Sequence, residues 1–196
     1  MKKYPSILTI KEAGFPKITN CIAFDKIDGS NLRFEYNKKQ WNKFGTRHHL
    51  FDETDDVFGV AIDIFRNKWQ DDITKILLKE RISQCIVFME FYGENSFAGV
   101  HVPEDKKHLK FFDINIYKKG LMPSREFLKL FGHLDIPEVI YEGNLNKQFV
   151  LDVENGLYNI NEGVVCKGGN KQNNMWMRKI KTIEYLNKLK GDLNEN

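Results

Sequence analysis

The feature that most restricts the fold is a series of short runs rich in β-branched and aromatic residues, grouped on either side of one helical stretch. Residues 21–26 (CIAFDK), residues 31–36 (NLRFEY) and Trp41–Thr46 follow one another closely. Cys85–Tyr92 and Leu109–Tyr117 come next, and Gly163–Lys167 and Trp176–Ile180 come later. Runs of this length and composition read as strands. Asp28-Gly29-Ser30 punctuates the first two and predicts a turn joining them. NKKQ predicts a second turn, so the first three strands read as an antiparallel meander. Between the groups, Asp56 to Glu80 carries apolar residues at helical spacing: Val57, Val60, Ala61, Ile64 and Phe65, then Ile73, Ile76 and Leu77. A break near Asn67 divides this stretch into two helices. PSREFLKLFG predicts a short helix capped by Ser124 and ending at Phe131. Lys147–Val153 predicts another. Thr182–Lys190 places Ile183, Leu186 and Leu189 on one helical face, which is expected to pack onto the body. The sum is an α+β chain of largely antiparallel sheets flanked by helices.

Nothing divides the 196 residues into repeats or linker-separated parts, so a single domain, 1–196, ending in a C-terminal helix and tail, 182–196, is expected. At 41% hydrophobic and 13% aromatic, the chain has material for a sizeable core. The net charge of +3 permits a polyanionic partner. Cys21, Cys85 and Cys166 are far apart and sit in apolar runs, which predicts free buried thiols and a reducing, cytoplasmic setting. No CxxC or Cys/His spacing suits zinc. No signal peptide is recognisable, and no window approaches a membrane-spanning length, so no membrane partner is expected.

The chemistry begins at FDKIDGSN, residues 24–31. Read alone, Lys26-x-Asp28-Gly29 is as well explained by a strand ending in a tight Asp-Gly turn as by a reactive amine. Three other stretches shift the balance. VFMEFYGENS places Glu90 inside an apolar strand, where an acid needs a partner, a cation or a ligand, or an edge facing water. EGVVCKG puts Glu162, Val164 and Cys166 on one face of a strand, and Val165 and Lys167 on the other. A carboxylate at the mouth of that strand suits a metal, and the lysine further along suits a phosphate. NMWMRKIKT aims Lys179 and Lys181 the same way, an arrangement that favours an anion between them or a solvated basic edge. A lysine nucleophile must lose its proton, and nearby cations press it to do so. Lys179, Lys181 and a divalent ion held by Glu162 would supply that pressure, and would also neutralise a triphosphate.

The ordered set KIDGSN, FMEFYG, FFDI, EGVVCK and RKIK resembles motifs I, III, IIIa, IV and V of the covalent lysyl-nucleotidyltransferases, the polynucleotide ligases and mRNA capping enzymes. The resemblance spans about residues 22 to 181. Asn31, five residues after the lysine, and Arg47 in FGTRHHL resemble the RNA-repair ligase branch. The resemblance implies a nucleotidyltransferase fold, the ATP-grasp-like adenylylation domain of ligases, standing alone. The stretch beyond Lys181 is too short for the OB-fold barrel that many relatives carry, so no OB-fold is expected.

The resemblance also implies roles. Lys26 would attack the α-phosphate of ATP and hold AMP, with Asp28 beside it at the turn. Asn31 and Arg47 would engage phosphates or nucleic-acid ends. Glu90 would contact the ribose or the metal, directly or through water. Phe112, or alternatively Phe111, would stack on adenine. Glu162 would hold Mg²⁺ or Mn²⁺. Lys167 would contact the AMP phosphate, and Lys179 and Lys181 would orient pyrophosphate. The implied activity is an ATP-dependent RNA ligase joining 3′-OH and 5′-phosphate ends. A compact ATP-dependent DNA ligase, a capping guanylyltransferase and a non-catalytic end-binding module are the alternatives. RNA or DNA ends are the expected partners, with an accessory nucleic-acid-binding protein a further one. A basic surface at Lys38, Lys39, Lys43, Arg47, His48 and His49 would touch nucleic acid, although Lys38 and Lys39 equally suit a solvated hairpin. A cytoplasmic enzyme is implied, with a virus- or phage-encoded origin compatible with it.

Overall fold

The structure, a computed structural model, describes residues 1–171 and 174–194. In chain order its elements are α1 (Ile10–Ala13), β1 (Asn20–Asp25), β2 (Ser30–Asn37), β3 (Gln40–Gly45), β4 (Leu50–Phe51), α2 (Gly59–Lys68), α3 (Gln70–Lys79) and β5 (Gln84–Gly93). They continue with β6 (Lys107–Ile116), β7 (Gly120–Leu121), α4 (Ser124–Phe131), β8 (Val139–Asn144), α5 (Lys147–Glu154), β9 (Gly163–Gly168), β10 (Trp176–Lys181) and α6 (Ile183–Asn194). The chain forms two compact units. The first comprises Met1–Pro5 and Asp28–Ile136, and the second Ser6–Ile27 and Pro137–Asn196.

In the first unit, a six-stranded antiparallel sheet runs in the order β4-β3-β2-β5-β6-β7. Alternation along β2 sends Leu32, Phe34 and Tyr36 into the core and Arg33 and Glu35 to the opposite face. The core face is closed by Ala61, Phe65, Trp69, Ile73 and Leu77, a stripe one turn apart along α2 and α3. Phe34 and Phe65 stack with centroids 4.4 Å apart, and each buried ring contributes about 1.5–3 kcal/mol. The helices depart from expectation in two respects, and the expected break near Asn67 is present. The first begins at Gly59 rather than Asp56, because Asp55 Oδ1 accepts from the Val57 and Phe58 N–H groups and ties them into a turn. A Cβ on Gly59 would lie 2.6 Å from the Glu53 carbonyl oxygen, so the chain doubles back where only glycine fits. Val57 and Val60 are consequently exposed. The break falls at Trp69, which leaves helical geometry at φ −121° while its side chain stays buried. Ser124 is not the cap of α4: Pro123 holds that position, Ser124 is the first helical residue, and no side chain caps the end. The β2–β3 turn has left-handed Lys38 and Lys39, the geometry of a type I′ hairpin turn. Both lysines are exposed there.

In the second unit, a four-stranded antiparallel sheet runs β10-β9-β1-β8. The expected meander is therefore wrong at its first step. β1 is hydrogen-bonded to β8 on one edge and β9 on the other, and β2 to β3 and β5, so neither has an edge left for its neighbour in sequence. Asp28-Gly29-Ser30 is a crossing between sheets rather than a hairpin turn. β8 was not anticipated; its residues are half-exposed edge positions with little apolar signal. Cys21, Ala23, Val164, Cys166 and Ile180 form the core, with Phe149 and Val153 of α5 packed beneath. The helix at Lys147 is capped by Asn146, whose Oδ1 accepts from Phe149 N–H at 2.9 Å. The edge of β10 is covered by the N-terminal segment: Thr9 bridges Lys179, and Arg178 donates to the Gly14 carbonyl oxygen at 3.0 Å.

The last helix presents a different face from the one expected. Thr182 Oγ1 accepts from Tyr185 N–H and donates to the Asn161 carbonyl, which fixes the phase of α6. Tyr185 is then the buried residue, while Ile183 and Leu186 are 48% and 37% exposed. Positions 195 and 196 of the expected tail lie outside the described residues. Among the described residues, no helix is long and apolar enough to cross a membrane.

Candidate active site

Strand register in the second unit gathers the charged residues. Ile22 opposes Lys167, and Phe24 opposes Val165. Met177, Lys179 and Lys181 oppose Lys167, Val165 and Gly163. Directly opposed residues share a face, so Lys167, Lys179 and Lys181 lie together on the side away from the Cys21–Cys166 core. Lys26 follows β1, with its N–H on the Gly163 carbonyl at 3.0 Å. Its Nζ donates to Glu162 Oε2 at 2.7 Å, and Lys181 Nζ reaches Oε1 of the same carboxylate at 2.8 Å. Glu162 is 2% exposed. A buried carboxylate costs several kcal/mol unless it is paired, and here each oxygen has its own ammonium group. Lys167 is buried, with its Nζ 5.2 Å from the Phe24 ring centroid. Lys181 Nζ also lies 4.6 Å from the Tyr185 ring.

Two corrections follow. Glu162 was expected on the face of Val164 and Cys166, but its carboxylate meets the lysines instead. Simple alternation fails at Gly163, whose φ of +146° interrupts the pleat. A Cβ there would lie 2.0 Å from the Ile180 carbonyl oxygen, so β9 and β10 approach where a side chain has no room. Lys26 was expected beside Lys179, Lys181 and an ion held by Glu162; the group in contact with it is the Glu162 carboxylate itself, shared with Lys181.

The first unit assembles a second set. Asn31 on β2 opposes Glu90 on β5, which opposes Lys110 on β6. Asn31 Oδ1 is buried with no hydrogen-bond partner. The two phenylalanines of β6 point to opposite faces: Phe111 is fully buried against Trp69, Phe127 and Phe131, whereas Phe112 is half-exposed on the opposite face. Tyr4 lies edge-on to Phe112, with centroids 5.0 Å apart at 89°, and against Phe88 at 4.9 Å. Its hydroxyl donates to the buried carboxylate of Asp113 at 2.8 Å. Burial, then the Asp113 charge, raises the Tyr4 hydroxyl well above the ordinary phenol range. Asp28 Oδ2 accepts from Ala98 N–H at 2.8 Å, and Arg47 is half-buried in the β3–β4 loop. Tyr4 and Asp113 were not singled out in the sequence. Asp113 carried the same signal as Glu90, an acid inside an apolar strand; Tyr4 carried none.

Among the described residues, no group of three or more His, Cys, Asp or Glu side chains could hold a metal ion alone. The lysine face of the second unit can bind phosphate and place one amine against it. The Phe112 face of the first unit can hold a flat ring.

A family model for RNA ligase matches residues 19–182. No curated protein sequence matches the chain. Similar solved structures include variants of an RNA ligase from Naegleria gruberi. One, with ATP and Mn, has a TM-score of 0.72 and 16% identity over 97% of this chain. Another, with AMP and Mn, has a TM-score of 0.68 and 16% identity over 96% of this chain. The same ligase with PPi gives a TM-score of 0.68 and 18% identity over 97%. In each comparison the chain spans 58% of the length of that ligase. The likeness establishes the fold, an antiparallel α+β domain of RNA ligase type.

Proposed function

The chain belongs to the RNA ligase family, and from that premise we propose that it is an ATP-dependent RNA ligase working through a lysyl-AMP intermediate. The observation that carries the reading is the pair of ion contacts on Glu162, which hold Lys26 and Lys181 at one buried carboxylate. A structural salt bridge needs one lysine; a site for a polyphosphate and its leaving group needs several. Lys26 Nζ, after release of its proton, attacks the α-phosphorus of ATP. The bond to pyrophosphate breaks, and a phosphoramidate forms. A 5′-phosphate oxygen of RNA then attacks that phosphorus and frees the lysine. A 3′-hydroxyl finally attacks the 5′ phosphorus, forms the phosphodiester and releases AMP.

In this scheme Lys167, Lys179 and Lys181 hold phosphates and pyrophosphate, Asn31 and Arg47 engage phosphates of ATP or of the RNA end, and Asp28 keeps the turn after Lys26. Phe112 stacks on adenine, and Glu90 meets the ribose or metal-bound water. Glu162, with lone pairs beyond those its two lysines use, fits Mg²⁺ or Mn²⁺ held largely through water and phosphate oxygens. Such an ion would withdraw charge from the phosphates. The solved relatives with ATP, AMP and Mn support these co-substrates. Further grip on RNA is assigned to the exposed basic residues or to an accessory nucleic-acid-binding protein. The free, buried cysteines support a reducing cytoplasm as its place.

Incubation with labelled ATP and Mg²⁺ leaves AMP on the wild type and none on Lys26→Ala. A wild type that stays unlabelled overturns the proposal, and labelling by GTP instead points to capping chemistry. Sealing of nicks with RNA rather than DNA at the 3′-OH side separates RNA ligase from DNA ligase.

A further inference from the structure

The turn that follows Lys26 in sequence is gripped by the loop between β5 and β6. Ala98 N–H donates to Asp28 Oδ2 at 2.8 Å. His101 Nε2 lies 2.9 Å from Ser30 Oγ. Between them, Gly29 is pressed against β5 so closely that a Cβ would lie 2.4 Å from the Phe91 carbonyl oxygen. The loop is bent to make this contact: Ala98 and Gly99 both adopt left-handed φ, 52° and 82°, a conformation that costs alanine about 1–2 kcal/mol. Ser96 supports the ring from its other nitrogen, with Oγ 3.4 Å from His101 Nδ1, and accepts from Gly93 N–H at 2.7 Å. The imidazole packs against Phe91 and Phe58, with centroids 4.9 and 5.8 Å away. A residue held at both nitrogens and on its ring is built for placement rather than for solvent.

What it places is the next residue along the chain. Asn31 adjoins Ser30, and its Oδ1 is the buried acceptor without a donor. Such an oxygen costs about 1–3 kcal/mol when left unmet, and its carboxamide carries two N–H donors suited to phosphate. We infer that His101 is a positioning residue, which through Ser30 fixes the Asp28–Asn31 turn so that the Asn31 carboxamide meets a ligand carrying a phosphate and a hydroxyl donor. The inference deepens the ligase reading and rests on it. No family motif given above includes His101.

The test is kcat/KM for sealing 5′-phosphorylated RNA, with melting temperature followed in parallel on the full chain. His101→Ala lowers kcat/KM about tenfold or more, as expected of a misplaced binding group, with the melting temperature near that of the wild type. His101→Gln, which can still reach Ser30, restores most of the loss. The double variant His101→Ala/Asn31→Ala loses little beyond Asn31→Ala alone, because the two act as one unit. Wild-type sealing by His101→Ala, losses that multiply in the double variant, or losses that track melting without rescue by glutamine each overturn the inference. A wild type that forms no lysyl-AMP sinks the ligase reading and this inference with it; the preceding outcomes sink the inference alone.

Discussion

The two units carry functional residues of opposite kinds. In the second unit, charges are paired before any ligand arrives: Glu162 has an ammonium group on each oxygen and almost no exposure. In the first unit, the face of β6 that carries Phe112 is aromatic and half-open, and the buried Oδ1 of Asn31 on β2 has no hydrogen-bond partner. Under the proposed reading these would be two ways of preparing for a polyanionic nucleotide: an internal acid would keep lysines that face phosphate from repelling one another, and the ring and amide would leave a deficit for a ligand to repair.

The strongest way to break this comparison is Glu162→Gln, which keeps the shape and removes the charge. Lysyl-AMP formation in a single turnover with labelled ATP should fall by about 10²–10³, the usual loss when one preorganised electrostatic group is removed. A glutamine variant within a few fold of the wild type would mean that the acid only fills space. A smaller effect is expected on the other side. Tyr4→Phe deletes the hydroxyl that meets Asp113 but keeps the ring against Phe112. It should cost about 1–3 kcal/mol in denaturant unfolding, the penalty for a buried group left unmet, with KM for ATP little changed. A shift in KM without loss of stability would reverse the assignment and make the hydroxyl part of the binding face.

The smallest effect comes from protons. Burial, then the nearby Lys107 charge, holds the His101 ring below its ordinary value of 6.5, and Asp28 opposes them. The unfolded chain takes up a proton there that the folded chain resists. Stability is therefore greatest above pH 6.5 and falls as the pH drops through it. Melting temperatures of wild type and His101→Gln between pH 5 and 8 should lie close above pH 6.5 and separate toward the acid end, where the wild type falls further. Parallel curves would remove His101 from the pH response.

Legibility in the sequence followed the range of the interaction. Lys26, Glu162, Lys179 and Lys181 could be picked out as a candidate set from residue type and spacing, and the structure brings Lys26 and Lys181 to one carboxylate, with Lys179 on the same strand. Most strands and helices were readable from local period. What failed depended on partners distant in sequence. β1 and β2 look like a hairpin until it is known that β8 and β9 occupy both edges of β1. Tyr185 displaced Ile183 and Leu186 from the buried face of α6 because Thr182, tied to Asn161, sets the helix phase. The side on which Glu162 emerges turned on one glycine φ, which no periodicity encodes. Phe111 and Phe112 were narrowed to a pair by alternation, and only the core behind β6 separated them.

The split construction of the second unit has a consequence for the synthesis of the chain on the ribosome. Its first strand is made early, but Lys26 and Glu162 are separated by 136 residues of synthesis. At cellular translation rates of about 5–20 residues per second that is a wait of roughly seven to twenty-seven seconds. Through that interval the whole sheet of the inserted unit can emerge and close, while β1 waits with both edges bare until β8 is made. The Lys26 amine therefore gains its counter-charge only once Glu162 has been made, and whatever shields a bare strand in a nascent chain must guard β1 until its partners arrive.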